Sequence, residues 1–267
     1  MLVYLPDRGV VEISGEDRVS FLQGLVSNDV AQARQGEAVW AALLSPQGKW
    51  LADFFIIAAG DALLLDCARD RVEFLIKSLG RYKLRAKVAL HDVSAERAVH
   101  VAWGERPSVP DALVVADPRH ALAGWRVISS TPLPSTASEQ DWHRHRIALG
   151  LPDGARDLEA EKSVLLEAGF DELHGVSWSK GCYLGQELTA RTKYRGLLKR
   201  RLAPVTVTGD LPAPGTPVMR GAEEVGTLRY GVPGLAMALL RLEALDAEGL
   251  SCGSAVLTPR KPDWMAS

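Results

Sequence analysis

The sequence predicts an α+β protein that ends in a small antiparallel β-unit. The first observation is a β-hairpin signal: apolar runs at residues 38–44 and 50–58 flank Ser45-Pro46-Gln47-Gly48, where proline supplies the fixed φ of a second turn position. The second is an amphipathic pattern over residues 70–82, with Val72, Leu75, Ile76 and Leu79 at i, i+3, i+4 and i+7. The third is the segment beyond Arg201, in which glycine and proline separate short apolar runs.

The other elements follow from the same periodicities and from turn residues. In chain order they are a strand at 10–14, a short helix from Asp17, a strand at 62–66, short strands between 86 and 128, a polar proline-bearing connector at 131–138, and a helix at 139–149 that Gly150 and Pro152 end. The connector is a candidate domain boundary.

Length and composition exclude several classes of protein. With 267 residues the chain is expected to form two or three packed units, and its net charge of -2 provides no global positive field for nucleic acid. No apolar stretch approaches the roughly 20 residues of a membrane span. The N-terminal segment 1–8 has neither a signal-peptide pattern nor an Arg-rich one, so we expect a cytoplasmic protein without a membrane partner.

The cysteines are too few and too scattered for a disulfide framework or a self-contained metal site. Cys67, Cys182 and Cys252 form no CxxC pair, and we predict no metal centre. Patterns typical of metalloproteases, serine hydrolases and nucleotide-binding loops do not occur either. Asp29 and Asp53 remain as lone carboxylates, and a surface position on a strand is the ordinary place for a residue such as Asp53.

The segment 178–196 is the densest in chemical groups. Gly181 and Gly185 flank Cys182 and reduce steric cover around the thiol. If residues 180–182 are extended, the Lys180 ammonium and the Cys182 sulfur point to the same side, where the cation favours the thiolate. The alternative is a buried, inert cysteine, which is the commoner place for a free thiol.

Polar residues that follow the thiol have two interpretations. Gln186 and Glu187 offer an amide and a carboxylate that suit the edge of a heterocycle such as a pterin, or they simply open a helix in solvent. Six basic residues without an acid follow between 191 and 201, which suits either a polyanionic ligand or a basic surface strand. They are Arg191, Lys193, Arg195, Lys199, Arg200 and Arg201.

The block Lys180-Gly181-Cys182-Tyr183-Leu184-Gly185-Gln186-Glu187 resembles the motif of the folate-binding YgfZ/GcvT family, in its Iba-type iron–sulfur cluster assembly branch, which has a mitochondrial counterpart. The similarity continues through residues 188–192 and 199–202. Looser matches span most of the chain, at 15–25, 28–29, 47–49, 146–152, 225–227 and 262–264.

This resemblance implies a fold like the glycine-cleavage T-protein, with two interleaved α+β units around a central folate channel and a C-terminal antiparallel β-barrel. The predicted division is residues 1–50 with 139–198, then 51–138, then 199–267. Tetrahydrofolate is the implied cofactor. The implied reacting residues are Cys182 and Lys180, and those around folate are Gly181, Tyr183, Gly185, Gln186, Glu187, Arg191, Asp29 and Asp53. Glu161 and Arg146 are further candidates for the cavity.

One difference from the T-protein sequence decides the order of the functional hypotheses. The T-protein has an acidic pair after the hairpin turn, where this chain has Ala52-Asp53. We therefore predict a folate-binding accessory protein for iron–sulfur protein assembly or maintenance, with iron–sulfur clients that include tRNA-modifying ones. A T-protein-like aminomethyltransferase comes second, because aminomethyl transfer needs a positioned carboxylate, and whether the chain is an enzyme stays open. A tRNA-binding module is the third hypothesis.

Overall fold

Fifteen strands and five α-helices build the part of the chain that the structure describes, residues 1–265. The structure is a computed structural model. The strands are β1 (Leu2–Tyr4), β2 (Arg8–Ser14), β3 (Ala38–Leu44), β4 (Trp50–Ala59), β5 (Ala62–Ala68), β6 (Ala89–Asp92), β7 (Ala98–Ala102), β8 (Leu113–Ala116), β9 (Trp125–Ser129), β10 (Arg200–Thr208), β11 (Pro217–Arg220), β12 (Glu223–Val232), β13 (Leu235–Arg241), β14 (Leu250–Cys252) and β15 (Ala255–Pro259). The helices are α1 (Arg18–Gln23), α2 (Val72–Gly80), α3 (Glu139–Ala148), α4 (Gly154–Asp157) and α5 (Gln186–Tyr194). None of them is long and apolar enough to cross a membrane.

The first sheet has five antiparallel strands in the order β3-β4-β5-β2-β6. Its β3–β4 hairpin confirms the predicted turn: Leu44 pairs with Trp50, and Gly48 has the left-handed φ of +79° that favours glycine. Helix α2 packs on β2 and β6 and buries Val72, Leu75 and Leu79, as the spacing predicted. It is shorter than expected because residues 69–71 form a 3-10 turn before it.

The second sheet has four antiparallel strands in the order β1-β7-β9-β8. Strand β1 belongs to this sheet and β2 to the first, so the chain crosses from one sheet to the other within residues 5–7. Residue 50, a predicted domain boundary, is the first residue of β4, which pairs with β3 and β5. The division of the first 198 residues into two units stays a prediction.

Strands β10 to β15 close into an antiparallel barrel in the order β10-β13-β12-β11-β14-β15, which confirms the predicted C-terminal barrel. Its interior is a separate apolar cluster that includes Val205, Val218 and Leu257. Helix α3 packs against β12 and β13 and so joins the barrel to the rest of the fold. The last two residues of the predicted range 199–267 lie outside the described residues.

A buried ionic network fastens the two open sheets together. The fully buried Asp66 on β5 accepts hydrogen bonds from Arg8 Nε at 2.6 Å, within its own sheet, and from Arg126 on β9 of the other sheet at 3.1 Å. Arg126 also lies 3.6 Å from Asp117, which pairs with Arg119 at 2.7 Å. Because buried charges are costly unless they are paired, these contacts specify how the sheets face each other.

Aromatic rings and further ion pairs fill the remaining space between the sheets. The Phe55 ring lies 3.9 Å from the Arg126 guanidinium and 4.9 Å from that of Arg119. On α3, the buried Arg146 binds Asp157 at 2.7 Å and donates from Nε to Nδ1 of His143 at 3.0 Å. Burial and the Arg146 charge lower the pKa of His143 to about 3, so its ring is neutral and can accept.

We expect the Asp66→Ala substitution to lower the free energy of unfolding by roughly 3–5 kcal/mol, because it leaves Arg8 and Arg126 buried without their carboxylate. Urea denaturation measures this. Glu73→Ala is the control, since the Glu73–Lys77 pair is exposed and surface pairs contribute about 0–1 kcal/mol. Equal effects of the two substitutions would contradict a stabilising role for the network.

The depressed pKa of His143 makes the free energy of unfolding depend on pH, with lower stability in acid. Its pKa is about 3 in the folded protein against an ordinary 6.5, so between these values only the unfolded chain binds the proton, and stability falls as the pH falls below 6.5. Between pH 7.5 and pH 5 we expect a loss of about 2 kcal/mol from this residue.

The comparison is with His143→Asn, whose amide oxygen still accepts from Arg146. Urea denaturation of both proteins at the two pH values isolates the histidine from the carboxylates. An equal pH dependence of the two proteins would show that His143 titrates normally.

Candidate functional site

The motif block forms a loop over residues 177–185 that leads into α5. The segment before the loop is tied to the first sheet by side chains from the turn after α1. Ser27 Oγ donates to the Gly175 carbonyl at 2.7 Å, and Asn28 Nδ2 donates to the carbonyls of Trp40 and His174 at 2.8 and 2.7 Å. Buried polar side chains that satisfy backbone groups in this way make a loop rigid.

Lys180 fastens the loop to the same turn. Its Nζ donates to the carbonyl oxygens of Val26 and Asn28, each at 2.7 Å. Burial lowers the pKa of this ammonium to about 8, although the charge of Asp29 partly opposes the shift. The expected extended run over 180–182 does not form, and no hydrogen bond within the described residues joins the ammonium to the thiol. A reacting role for Lys180 therefore stays a prediction.

Cys182 is exposed at the surface of this loop, whereas Cys67 and Cys252 are buried. The preceding Gly181 has a φ of +94°, and a Cβ on it would meet nothing within 4 Å. Open space on this side of the loop leaves the sulfur accessible. The structure thus places the thiol at the surface, and the alternative of a packed Cys182 is excluded.

Gly185 brings the loop into direct contact with the β3–β4 hairpin. Its φ is +78°, and a Cβ there would lie 2.4 Å from the Ser45 carbonyl oxygen. A Cβ on Gly48 of the hairpin would lie 2.6 Å from the Gly185 carbonyl oxygen. Two glycines facing each other therefore allow the backbones of the loop and the hairpin to touch. The absence of a side chain at Gly185 thus serves contact with the hairpin backbone.

The other motif residues around α5 have mainly local partners. Gln186 Oε1 accepts from the Tyr183 backbone N–H at 3.2 Å. Glu187 lies in the first turn of α5, where the helix dipole favours a carboxylate, and it pairs with Arg191 on the solvent side. Tyr183 is buried, which raises its pKa to about 12, although its interaction with the Thr189 hydroxyl partly opposes the shift. Folate contacts by these residues stay predictions.

The two lone carboxylates lie in different places. Asp29 Oδ1 accepts from Gln23 Nε2 at 2.8 Å and from the Ala31 N–H at 3.2 Å, at the start of a 3-10 helix near Lys180. Asp53 points between the sheets, where its carboxylate accepts from the indole N–H groups of Trp40 and Trp50 at 3.0 and 3.3 Å. Removal from water raises the pKa of Asp53.

The space between the sheets does not fit a pterin. The cavity beside Asp53 and Arg146 has a volume of about 10 Å³, which is room for about one water, whereas ligand pockets span roughly 300–1,000 Å³. Trp40 stacks on Phe170 with ring centroids 3.8 Å apart, and Arg119 lies over Trp40. Of the residues expected to line a central folate channel, only Asp53 and Arg146 border this space, and the side chains around them fill it.

A larger cavity, of about 550 Å³, lies beside the motif loop. The β3–β4 hairpin, α2, Glu161 and Leu184 line it. Sequence reasoning did not predict this cavity, although Phe74 is an aromatic residue outside the apolar stripe of the predicted helix 70–82. Glu161 is the one predicted cavity residue that lies here.

The basic segment 191–201 does not form a continuous charged strip. Arg191 pairs with Glu187, Lys193 pairs with Asp171, and the buried Arg201 pairs with Glu172. Arg195, Lys199 and Arg200 are exposed and form no ion pair within residues 1–265. In the same range, no group of three His, Cys, Asp or Glu side chains could hold a metal ion.

Comparison with known proteins identifies relatives over nearly the whole chain. This chain is 31% identical to "Iron-sulfur cluster assembly factor IBA57, mitochondrial" of Mus musculus and 30% identical to the protein of that name from Homo sapiens. In each case the match covers 97% of this chain and 84% of the relative. The IBA57 homolog of Mycosarcoma maydis is 36% identical over 77% of this chain, which spans 57% of that protein.

The fold and the barrel have separate matches. The crystal structure of the glycine cleavage system aminomethyltransferase T from Bartonella henselae superimposes with a TM-score of 0.74, at 12% identity, over 97% of this chain and 84% of that one. This confirms the predicted T-protein-like fold. The family model of the CAF17 C-terminal beta-barrel domain matches residues 199–267.

The prediction of a cytoplasmic protein is wrong. The matched IBA57 relatives are named as mitochondrial proteins, which points to the mitochondrion. The prediction relied on the character of residues 1–8, but residues 2–4 form β1 and pair with β7, so this segment is shaped by the fold and carries no information on the compartment.

The identity to the mouse and human proteins over most of both chains shows that this chain belongs to the IBA57 family of iron–sulfur cluster assembly factors.

Proposed function

We propose that this protein is an accessory factor for the assembly or maintenance of iron–sulfur proteins and that its motif loop presents Cys182 to a client or assembly partner. Membership of the IBA57 family supports the role in assembly. The proposed role of the thiol is supported by its exposure, because Cys182 lies on a loop that Lys180, Ser27 and Asn28 hold in place.

One thiol limits what the protein can do with a cluster. Iron–sulfur clusters in proteins are held by about four ligands, mostly thiolates, and Cys182 is the exposed cysteine of the three. The remaining ligands must come from a partner. The proposed chemistry is therefore a contact shared between Cys182 and a client, and clients that modify tRNA are part of this proposal.

Tetrahydrofolate binding is a second part of the proposal. It is supported by the motif at 180–187 and by the family resemblance. Bound reduced folate would supply one-carbon or redox chemistry of its pterin ring. The residues of this chain would bind and orient it and exclude water.

The structure favours neither alternative function. Aminomethyl transfer needs an available carboxylate, but Asp53 is engaged by two tryptophans, and Ala52 stands at the other acidic position. A tRNA-binding strip needs several unpaired cations, whereas half of the basic residues at 191–201 are in ion pairs. Both remain less favoured than the assembly role.

Thiol accessibility can be tested directly with a disulfide reagent such as DTNB. We expect one fast-reacting thiol per native chain and three after denaturation, because burial raises the pKa of Cys67 to about 12 and also raises that of Cys252. Cys182→Ser should abolish the fast phase. A fast phase that survives in this variant would contradict the assignment of the exposed thiol.

The assembly role can be tested by deleting the gene and assaying cluster-dependent enzymes. We expect their activities to fall and the wild-type gene to restore them. Cys182→Ser should fail to restore them at equal protein abundance, whereas Ser179→Ala, a change at another exposed residue of the loop, should succeed. Unchanged activities after deletion would refute the assembly role, and full restoration by Cys182→Ser would refute the role of the thiol.

A further inference from the structure

The turn after α2 exposes a leucine that the fold does not use. Leu84 is 91% exposed, the largest value among the large apolar residues within 1–265. It is the second residue of a turn that the Ala86 N–H closes by donating to the Lys83 carbonyl at 2.7 Å. Its φ of +41° lies in the left-handed region, which favours glycine or asparagine at such a turn position. Neither core packing nor turn geometry therefore accounts for a leucine here.

Cations lie on both sides of this leucine in the sequence. Residues 74–90 contain no acid and five cationic residues, which are Lys77, Arg81, Lys83, Arg85 and Lys87. The two outer cations form ion pairs with Glu73 and Glu16, whereas the three central ones are exposed and form none within residues 1–265. The apolar tip of the turn thus lies beside uncompensated positive charge.

Residues 81–87, which we call the basic turn, also carry an exposed aromatic ring. Tyr82 is 41% exposed and stands between Arg81 and Lys83. A tyrosine combines an apolar ring with a hydroxyl that bonds to water, which suits the boundary between an apolar and an aqueous phase. The acids Glu16 and Asp17 bind the basic turn at Lys87, at its end.

An anionic bilayer matches this combination of groups. A leucine that is 91% exposed projects from the protein surface, and acyl chains can surround such a projection without a preformed hollow. Anionic headgroups attract the Lys and Arg side chains next to it. Nucleic acid fits less well, because it would use the cations and the Tyr82 ring but would leave Leu84 in water. An acidic protein would need an apolar hollow of matching shape.

We propose that the basic turn binds the surface of a membrane that contains anionic lipids. Leu84 enters the boundary of the acyl region, Tyr82 lies among the headgroups, and Arg81, Lys83 and Arg85 contact their phosphates. Binding of this kind is peripheral and reversible, since it lacks the buried apolar area of a spanning helix. The expectation of no membrane partner relied on the lack of a membrane-spanning stretch, and a peripheral contact does not need one.

Membrane binding through the basic turn places the motif loop near the bilayer. Arg81 and Tyr82 border the same cavity as Leu184, which is two residues after Cys182. The exposed thiol then meets its partners close to the membrane surface. The inference goes beyond the proposed function and does not depend on it, because lipid binding is measured without any cluster or client.

Co-sedimentation of the purified full chain with vesicles tests the proposal. We expect binding to an equal mixture of phosphatidylcholine and phosphatidylglycerol, none to phosphatidylcholine alone, and weaker binding at high salt, because salt screens the charges. Leu84→Asn should weaken binding about tenfold or more. Its melting temperature should not fall, because asparagine tolerates the left-handed φ. Leu122→Asn should bind as the wild type does, since Leu122 is an exposed leucine without such a run of cations around it.

A charge variant separates the basic turn from general attraction of the protein to anionic vesicles. It combines Arg81→Gln, Lys83→Gln and Arg85→Gln, and it should abolish binding to the mixed vesicles. The matched control combines Arg195→Gln, Lys199→Gln and Arg200→Gln. These three cations are also exposed and unpaired within residues 1–265, so the control removes the same charge elsewhere and should still bind.

Three results would overturn the proposal. They are absence of vesicle binding by the wild type, unchanged binding by Leu84→Asn, and unchanged binding by the charge variant. Photo-cross-linking from position 84 to an acidic protein in cells, without binding of the wild type to vesicles, would assign the basic turn to a protein partner instead.

Discussion

The contact between Asp66 and Arg126 is the constraint on which the arrangement of this fold depends. It joins a strand of the five-stranded sheet to a strand of the four-stranded sheet, and both groups are buried. A buried carboxylate with two guanidinium partners holds a fixed geometry, because displacement of any member leaves a charge without compensation in a medium of low dielectric constant. Arg8, Arg119 and Phe55 then complete a packed interior around it.

This interior decides where chemistry can take place. The fold is that of an aminomethyltransferase T, but the cavity between the sheets is only about 10 Å³, and Asp53 hydrogen-bonds to tryptophans there. The shared fold therefore does not by itself establish aminomethyl transfer in this protein. Open cavities lie outside this interior, and one of about 550 Å³ adjoins the hairpin and the motif loop.

The motif has a structural and a chemical part. Lys180 binds the turn after α1 and Gly185 allows the loop to touch the β3–β4 hairpin, so both hold the loop on the first sheet, while Gln186 accepts from the Tyr183 N–H within the loop. Cys182 takes no part in this and faces solvent. A rigid loop with one exposed thiol can meet a partner at a fixed position, which lowers the entropic cost of forming a shared site.

The sequence by itself determined the local elements and the family. The hairpin at 38–44 and 50–59, helix α3 and the short strands beyond Arg201 agree with prediction because turn chemistry and side-chain periodicity act over a few residues. The closure of those strands into a barrel was implied by the family resemblance. Tertiary structure alone decided the partner of Lys180, which is a turn about 150 residues earlier in the chain, and the pairing of the basic residues after α5. It also decided that the central space is filled and that the cavity lies elsewhere. These outcomes depend on contacts between distant segments, whose side chains meet only after the sheets have packed, so no pattern within one segment can reveal them.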